Sequence, residues 1–214
     1  MAGEMNSAKR FLSFILAVIA WPAVSQADPP QELEATDSDS TFSTLFDSGH
    51  YELTLNNGVL FSPFVATRNR PTINYSLTEL QFGYMVTDVQ EHGMFRGNFE
   101  ITGAAFGSGI FEGTGSYIAG CTTWVRYNFV PARGRFAGYA QAGGGVVGTD
   151  IDRGIVGQTF NFNLDLAVGV RYFLFPKISL NLEYRYQHIS NANLGRKNVG
   201  INAHGPMLGI SYLF

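Results

Sequence analysis

A histidine and a serine stand two residues apart near the C-terminal end of the chain, at His188 and Ser190. They close a run in which apolar and polar residues alternate, which is the period of a β-strand. Residues i and i+2 of a strand point to the same face, so the two side chains should stand side by side. A neutral imidazole can take the proton of a serine hydroxyl and so activate it as a nucleophile. The spacing therefore favours nucleophilic catalysis with the histidine as the base.

A histidine base needs a third group to orient its ring. If the loop after this strand is centred on Gly195, His188 faces Asn202 on the next strand. The same register pairs apolar residues with apolar residues along both strands, so it is internally consistent. The Asn202 amide oxygen could accept a hydrogen bond from the ring N–H. His204, opposite Tyr186, is the competing partner.

The body of the chain is a series of segments that alternate with period two. The clearest is 159–173, where the even positions are apolar and most odd positions are polar. This segment is far longer than the usual strand of about five or six residues. Eight segments of this kind follow one another, over 51–61, 73–87, 97–112, 116–129, 136–149, 159–174, 178–190 and 200–214. An even number of long strands with one apolar face predicts an all-β fold, an eight-stranded antiparallel transmembrane β-barrel of the outer-membrane type.

Composition agrees with a barrel that spans a membrane. The 214 residues include 25 glycines, 14% aromatic residues and only 14% charged residues. The net charge is −3, and no basic patch in the sequence suggests nucleic acid. A soluble lipocalin-like barrel would share the alternation with its apolar faces turned inward. Two features favour the membrane: the polar faces carry opposite charges that can pair in a narrow lumen, and the last alternating strand ends at Phe214. These charges include Asp165, Arg171, Glu183 and Arg185. A terminal aromatic residue of this kind resembles the assembly signal of bacterial outer-membrane barrels.

The N-terminus has the pattern of a secretory signal. Lys9 and Arg10 precede an apolar run over 11–21, and small residues stand just before Asp28. The apolar run is too short to span a bilayer, so we expect cleavage after Ala27. The predicted organisation is a signal peptide over 1–27, a mobile periplasmic leader over 28–49 and the barrel over 50–214.

Parity along the seventh strand predicts where the His–Ser pair lies. With both chain ends in the periplasm, this strand runs outward, and its even positions are the apolar ones. His188 and Ser190 continue that parity, so they should face lipid at the outer leaflet. A polar pair in lipid is costly unless it has a function. The alternatives are a rim anchor for the histidine and ordinary turn roles for Ser190, Asn191 and Asn198.

The sequence of this stretch resembles one known family. Residues 186–192 read Tyr-Gln-His-Ile-Ser-Asn-Ala and residues 198–202 read Asn-Val-Gly-Ile-Asn. This pattern is similar to the PagL family of lipid A 3-O-deacylases (acyloxyacyl hydrolases), which are eight-stranded outer-membrane barrels. The resemblance implies hydrolysis of the ester that links a 3-hydroxyacyl chain to the 3-position of lipid A, without a cofactor. It makes Ser190 the nucleophile and His188 the base, places Asn191 beside the site, and puts Asn198 at the position linked with the oxyanion hole.

The chain departs from the family pattern at one position, where Asn202 stands in place of an orienting glutamate. Asparagine can fix a histidine tautomer but cannot offset the charge of an imidazolium as a carboxylate does. The expected partners are lipid A of lipopolysaccharide and outer-membrane lipid, with a second copy of the chain as a further candidate; nucleic acid and a metal are not expected. Two rival functions remain: a non-catalytic small barrel for membrane integrity or adhesion, and an outer-membrane esterase acting on another lipid.

Overall fold

Eight antiparallel strands close into a barrel, in which each strand pairs with the next and β8 pairs with β1. The structure is a computed structural model that describes residues 42–62, 71–195 and 197–214. The predicted strand number and fold are confirmed, and the predicted bounds differ from the observed ones by no more than two residues. The strands are β1 (Tyr51–Leu60), β2 (Asn74–Met85), β3 (Gly97–Glu112), β4 (Tyr117–Phe129), β5 (Phe136–Thr149), β6 (Phe160–Phe175), β7 (Ile178–Ser190) and β8 (Ile201–Leu213).

Each strand has one face in the lumen and one on the outer surface of the barrel. On β7 the odd-numbered side chains are buried, whereas the even-numbered ones are half-buried or exposed. The outer surface carries a wide belt of large apolar side chains, among them Leu53, Leu80, Phe82, Val125, Leu164, Leu166, Leu182, Leu208 and Ile210. Water disfavours an apolar surface of this extent, whereas the hydrocarbon core of a membrane solvates it.

The lumen is filled by buried ion pairs. Glu52 accepts from Arg126 at 3.1 Å and from Arg171 at 2.5 Å, and all three side chains are almost completely buried. Higher in the barrel, Arg185 donates to Glu79 at 2.6 Å and to Glu183 at 2.7 Å. Buried charges are tolerated when they are paired and hydrogen-bonded, as these are. The predicted pairing of opposite charges inside a narrow lumen is therefore confirmed.

Apolar clusters close the lumen at both ends. The loop end includes residues 113–116, 150–159, 191–195 and 197–200. Beneath it lies a buried cluster made up of Leu60, Ile73, Tyr75, Leu77, Phe106, Ile118, Val147, Ile151, Val156, Ile189, Ile201, Ala203 and Met207. The opposite end, here called the termini end, holds residues 42–50 and Phe214. There Phe42, Leu45 and Phe46 pack with barrel residues such as Phe173 and Leu213.

The predicted signal peptide and most of the predicted leader lie outside the described residues. Within the predicted leader, however, residues 42–44 form a short helical segment. Phe42, Leu45 and Phe46 of this part of the chain are packed in the mouth of the barrel. The Phe46 ring lies under the Arg171 guanidinium, 5.3 Å from its Cζ, so this segment contacts the lumenal ion pairs. No helix in the described ranges is long and apolar enough to cross a bilayer.

We expect Glu52→Gln to destabilise the barrel strongly. The amide cannot offset the two buried guanidinium groups of Arg126 and Arg171, which then remain uncompensated in the lumen. Removing one partner of a buried ion network costs about 3 kcal/mol or more. Urea unfolding of the folded barrel in detergent, followed by the fluorescence of the lumenal Trp124, measures the change.

Glu91→Gln is the matched control. Glu91 pairs with Arg96 at 2.6 Å, but its side chain is 73% exposed. An exposed pair contributes about 1 kcal/mol or less, so the urea midpoint should hardly move. Equal midpoints for the two variants would show that the lumenal pairs do not stabilise the barrel.

Candidate active site

The candidate site lies on the outer surface where β7 and β8 meet, close to the loop end. His188 pairs directly with Asn202 in the β7–β8 ladder, so the register predicted from the sequence is confirmed. His188, Ser190 and Asn202 are all half-buried and lie on the face opposite the lumen. Strand pleating brings them together because His188 and Ser190 are two residues apart and Asn202 stands across the ladder.

The His188 ring is held by Asn202. Its Nδ1 lies 2.5 Å from Asn202 Oδ1. An amide oxygen can only accept, so this contact requires a proton on Nδ1. In a neutral imidazole of this tautomer the lone pair lies on Nε2, the nitrogen that a general base uses.

Tyr186 is a second partner of Asn202 that the sequence reasoning did not include in the site. Its hydroxyl donates to Asn202 Oδ1 at 3.1 Å, so one oxygen accepts from both the phenol and the imidazole. Two donors on one atom fix the amide with its oxygen toward His188. The competing partner, His204, contacts the Tyr184 hydroxyl through its Nδ1 instead. This contact could have been found from the sequence, because the predicted register places Tyr186 diagonally opposite Asn202 across β7 and β8.

Ser190 lies beside the His188 ring, and Gly200 fits against both. A Cβ placed on Gly200 would lie 3.4 Å from His188 Cε1 and 3.6 Å from Ser190 Cβ. Gly200 also has φ +69°, a conformation that favours glycine. Across the described ranges, no hydrogen bond joins the Ser190 hydroxyl to His188. Such bonds are often long without substrate and tighten only when substrate binds.

Asn191 ties the loop after Ser190 to the neighbouring loop. Its side chain is fully buried, and its amide donates to the carbonyls of Val156 at 3.1 Å and Lys197 at 2.7 Å. Val156 ends the short helix Arg153–Val156 in the β5–β6 loop. Both protons of the Asn191 side-chain amide are therefore donated to backbone carbonyls, and these two bonds hold the loop after β7 against the β5–β6 loop.

The loop that follows β7 begins in an uncommon backbone conformation. Ala192 and Asn193 have φ of 52° and 62°, which non-glycine residues adopt rarely. Asn198 stabilises it: its Oδ1 accepts from the Asn191 backbone N–H at 3.2 Å and its Nδ2 donates to Asn193 at 3.0 Å. Non-glycine residues with positive φ cluster at functional sites. Asn198 therefore supports the conformation of the loop.

The fold and the cluster together define a class of protein. The barrel is similar to the crystal structure of the outer membrane enzyme PagL, with a TM-score of 0.52 and 15% identity over 74% of this chain and 97% of that one. It is also similar to the crystal structure of Neisserial surface protein A, with a TM-score of 0.55 and 14% identity over 78% and 98%. These likenesses show the fold, a small outer-membrane β-barrel.

The family is shown by the sequence. Residues 75–211 match the family described as "Lipid A 3-O-deacylase (PagL)", and this match covers more than half of the chain. The chain therefore belongs to the PagL lipid A 3-O-deacylase family, as its motif suggested. The match spans β7 and β8, which carry His188, Ser190 and Asn202. No curated protein sequence matches the chain.

We expect Gly200→Ala to destabilise the protein by about 1–2 kcal/mol, because an L side chain at this positive φ is strained. The new methyl group would also lie 3.1 Å from the Ile189 carbonyl oxygen. Urea unfolding measures the loss. Gly107→Ala is the control, since a Cβ there meets nothing within 4 Å and the φ is not in the positive range. If the urea midpoint of Gly200→Ala were as high as that of Gly107→Ala, the predicted backbone strain at residue 200 would be wrong.

Proposed function

We propose that the protein is an outer-membrane serine esterase that removes the 3-O-linked 3-hydroxyacyl chain from lipid A. The observation that carries the proposal is the His188–Asn202 contact, which orients a histidine base next to Ser190 on the outer surface. Membership of the lipid A 3-O-deacylase family supports the substrate. The site faces the membrane and lies near the loop end, which we place at the outer leaflet, where lipid A resides.

The mechanism follows from the roles of the three residues. Ser190 Oγ bonds to the acyl carbonyl carbon while its proton passes to His188 Nε2. The imidazolium then gives that proton to the sugar oxygen as the ester C–O bond breaks. Water, deprotonated by His188, attacks the acyl-serine, and the proton returns to Ser190 as the 3-hydroxy fatty acid leaves. Asn202 holds the ring through Nδ1 throughout.

The oxyanion of each tetrahedral intermediate needs hydrogen-bond donors. The Asn191 backbone N–H already donates to Asn198 Oδ1. The next N–H along the chain, that of Ala192, has no acceptor among the described residues. One N–H of the Asn198 side-chain amide donates to Asn193. We assign the binding of the oxyanion to the Ala192 backbone N–H together with the other N–H of the Asn198 amide. The uncommon φ of Ala192 supports this assignment, since it turns the backbone just after the nucleophile.

The first test is mass spectrometry of lipid A from bacteria expressing the full chain. Wild type should yield lipid A that lacks one 3-hydroxyacyl chain, and Ser190→Ala should leave lipid A intact, because the nucleophile is lost. Ser76→Ala is the matched control, since Ser76 lies on the outer surface of β2, away from the site. It should behave as wild type.

The same extracts separate the rival functions. Identical lipid A spectra for wild type and Ser190→Ala would refute the deacylase proposal. If phospholipid composition then differed between the two strains, the protein would be an esterase acting on another lipid. If neither lipid class changed, it would be a non-catalytic barrel.

The second test concerns the orienting group. Asn202→Glu restores the carboxylate of the family pattern, which should stabilise the imidazolium and raise kcat about tenfold or more. Tyr186→Phe should lower kcat, since it removes the donor that fixes the amide oxygen toward His188. Hydrolysis of a nitrophenyl ester by the purified barrel measures both. A glutamate variant no faster than wild type would show that the amide orients the ring as well as a carboxylate does.

A further inference from the structure

A trench runs over the outer surface of the barrel beside the site. Its floor is formed by Ala140 and Ala142 of β5. From residue 138 onward the outward positions of β5 carry small side chains or none, apart from Val146: Gly138, Ala140, Ala142, Gly144 and Gly148. The neighbouring outward positions on β6 are bulky. The difference in side-chain size leaves an open depression of about 530 Å³. We call it the β5 trench and define it by Ala140, Ala142, Leu166, Val168, Tyr184 and Tyr186.

The trench is continuous with the candidate active site through Tyr186. The ring of this residue forms one wall, and its hydroxyl donates to Asn202 Oδ1, the atom that holds His188. In the sheet, Tyr186 pairs with Leu166, which pairs with Ala142. Strand geometry places Ala142 about 10 Å across the sheet from Tyr186, and Ser190 about 13 Å along β7 from Tyr186. A long acyl chain can cover this distance.

The depression extends further toward the termini end. A second one of about 420 Å³ shares Val168 and Tyr184 with the trench and continues along Val170, Leu182 and Pro206. Among the described residues, no side chain that lines the trench is charged at neutral pH. The surface thus offers apolar contact along the direction in which an acyl chain descends into the membrane from an ester bound at Ser190.

We propose that the β5 trench holds the acyl chain of the ester being cleaved, and that Ala140 and Ala142 set the length of chain accepted. This inference rests on the proposed function, because that function supplies the ester at Ser190. The trench adjoins the reacting serine through a residue of the site, which distinguishes it from the other small-residue stripe on the outer surface. That stripe, Gly103 to Gly109 on β3, lies two strands further away.

The test compares a short ester with a long one. Purified wild type, Ala142→Phe and Ala105→Phe are assayed with nitrophenyl butanoate and nitrophenyl tetradecanoate in the same detergent. The phenyl ring that Ala142→Phe introduces should fill the floor, so the long-to-short ratio of kcat/KM should fall about tenfold. Ala105→Phe adds the same ring to the lipid-facing surface of β3, outside the trench, and should keep the wild-type ratio.

A second variant tests the trench in the opposite direction. Leu166→Ala lowers a wall and should raise the long-to-short ratio. Because Leu166 is half exposed on the outer surface, folding should survive the change, which heat-modifiable migration in gels verifies. This variant keeps the inference testable if Ala142→Phe fails to fold.

The outcomes separate the two proposals. If wild type hydrolyses both esters but the trench variants keep its ratio, or if Ala105→Phe shifts the ratio equally, the trench holds bulk lipid and this inference is wrong. If wild type hydrolyses neither ester and leaves lipid A unchanged in cells, the proposed function fails and the inference falls with it. A ratio altered only in the trench variants supports it.

Discussion

The site on the outside of the barrel depends on the charges inside it. Arg185 lies between Glu79 on β2 and Glu183 on its own strand, so β7 is held in one register. A slip by one residue would turn every side chain of β7 to the opposite face and expose Arg185 to lipid. An arginine on the lipid face of a barrel costs about 2–4 kcal/mol at mid-membrane, in addition to the broken pairs. The lumenal network thereby keeps His188 and Ser190 on the outer surface and His188 opposite Asn202.

Much of this arrangement could be predicted because a barrel strand has only two faces. Period-two alternation determined the eight strands, and matching apolar residues across β7 and β8 determined their register, including the pairing of His188 with Asn202. The packing of Phe42 and Phe46 in the mouth of the barrel could not be predicted. That segment has no period of its own, and its contacts come from strands distant in sequence. The contact of Asn191 with Val156 was hidden for the same reason, since it joins two different loops.

One neutral oxygen, Asn202 Oδ1, orients the ring that we propose as the base. It accepts from the imidazole and from the Tyr186 hydroxyl, so the amide is held with its oxygen toward the ring. A carboxylate needs no such help, because both of its oxygens are acceptors. In this chain, the orientation that a glutamate would provide by its chemistry is provided by a tyrosine. Tyr186 also forms a wall of the β5 trench, so the same side chain contacts the orienting amide and the surface on which we place the acyl chain.

The closed lumen has a consequence for water. Ion pairs fill its middle, and the apolar cluster that includes Leu60, Ile189 and Met207 seals it beneath the loops. Among the described residues, these two features fill the lumen between the termini end and the loops, so the barrel interior offers little room for water. In the mechanism we propose, the second half of the ester hydrolysis would then draw its water from the hydrated headgroup layer above the loop end. The rate at which the acylated serine is released would follow the hydration and packing of the surrounding leaflet, so the membrane surface would take part in the proposed reaction as well as house it.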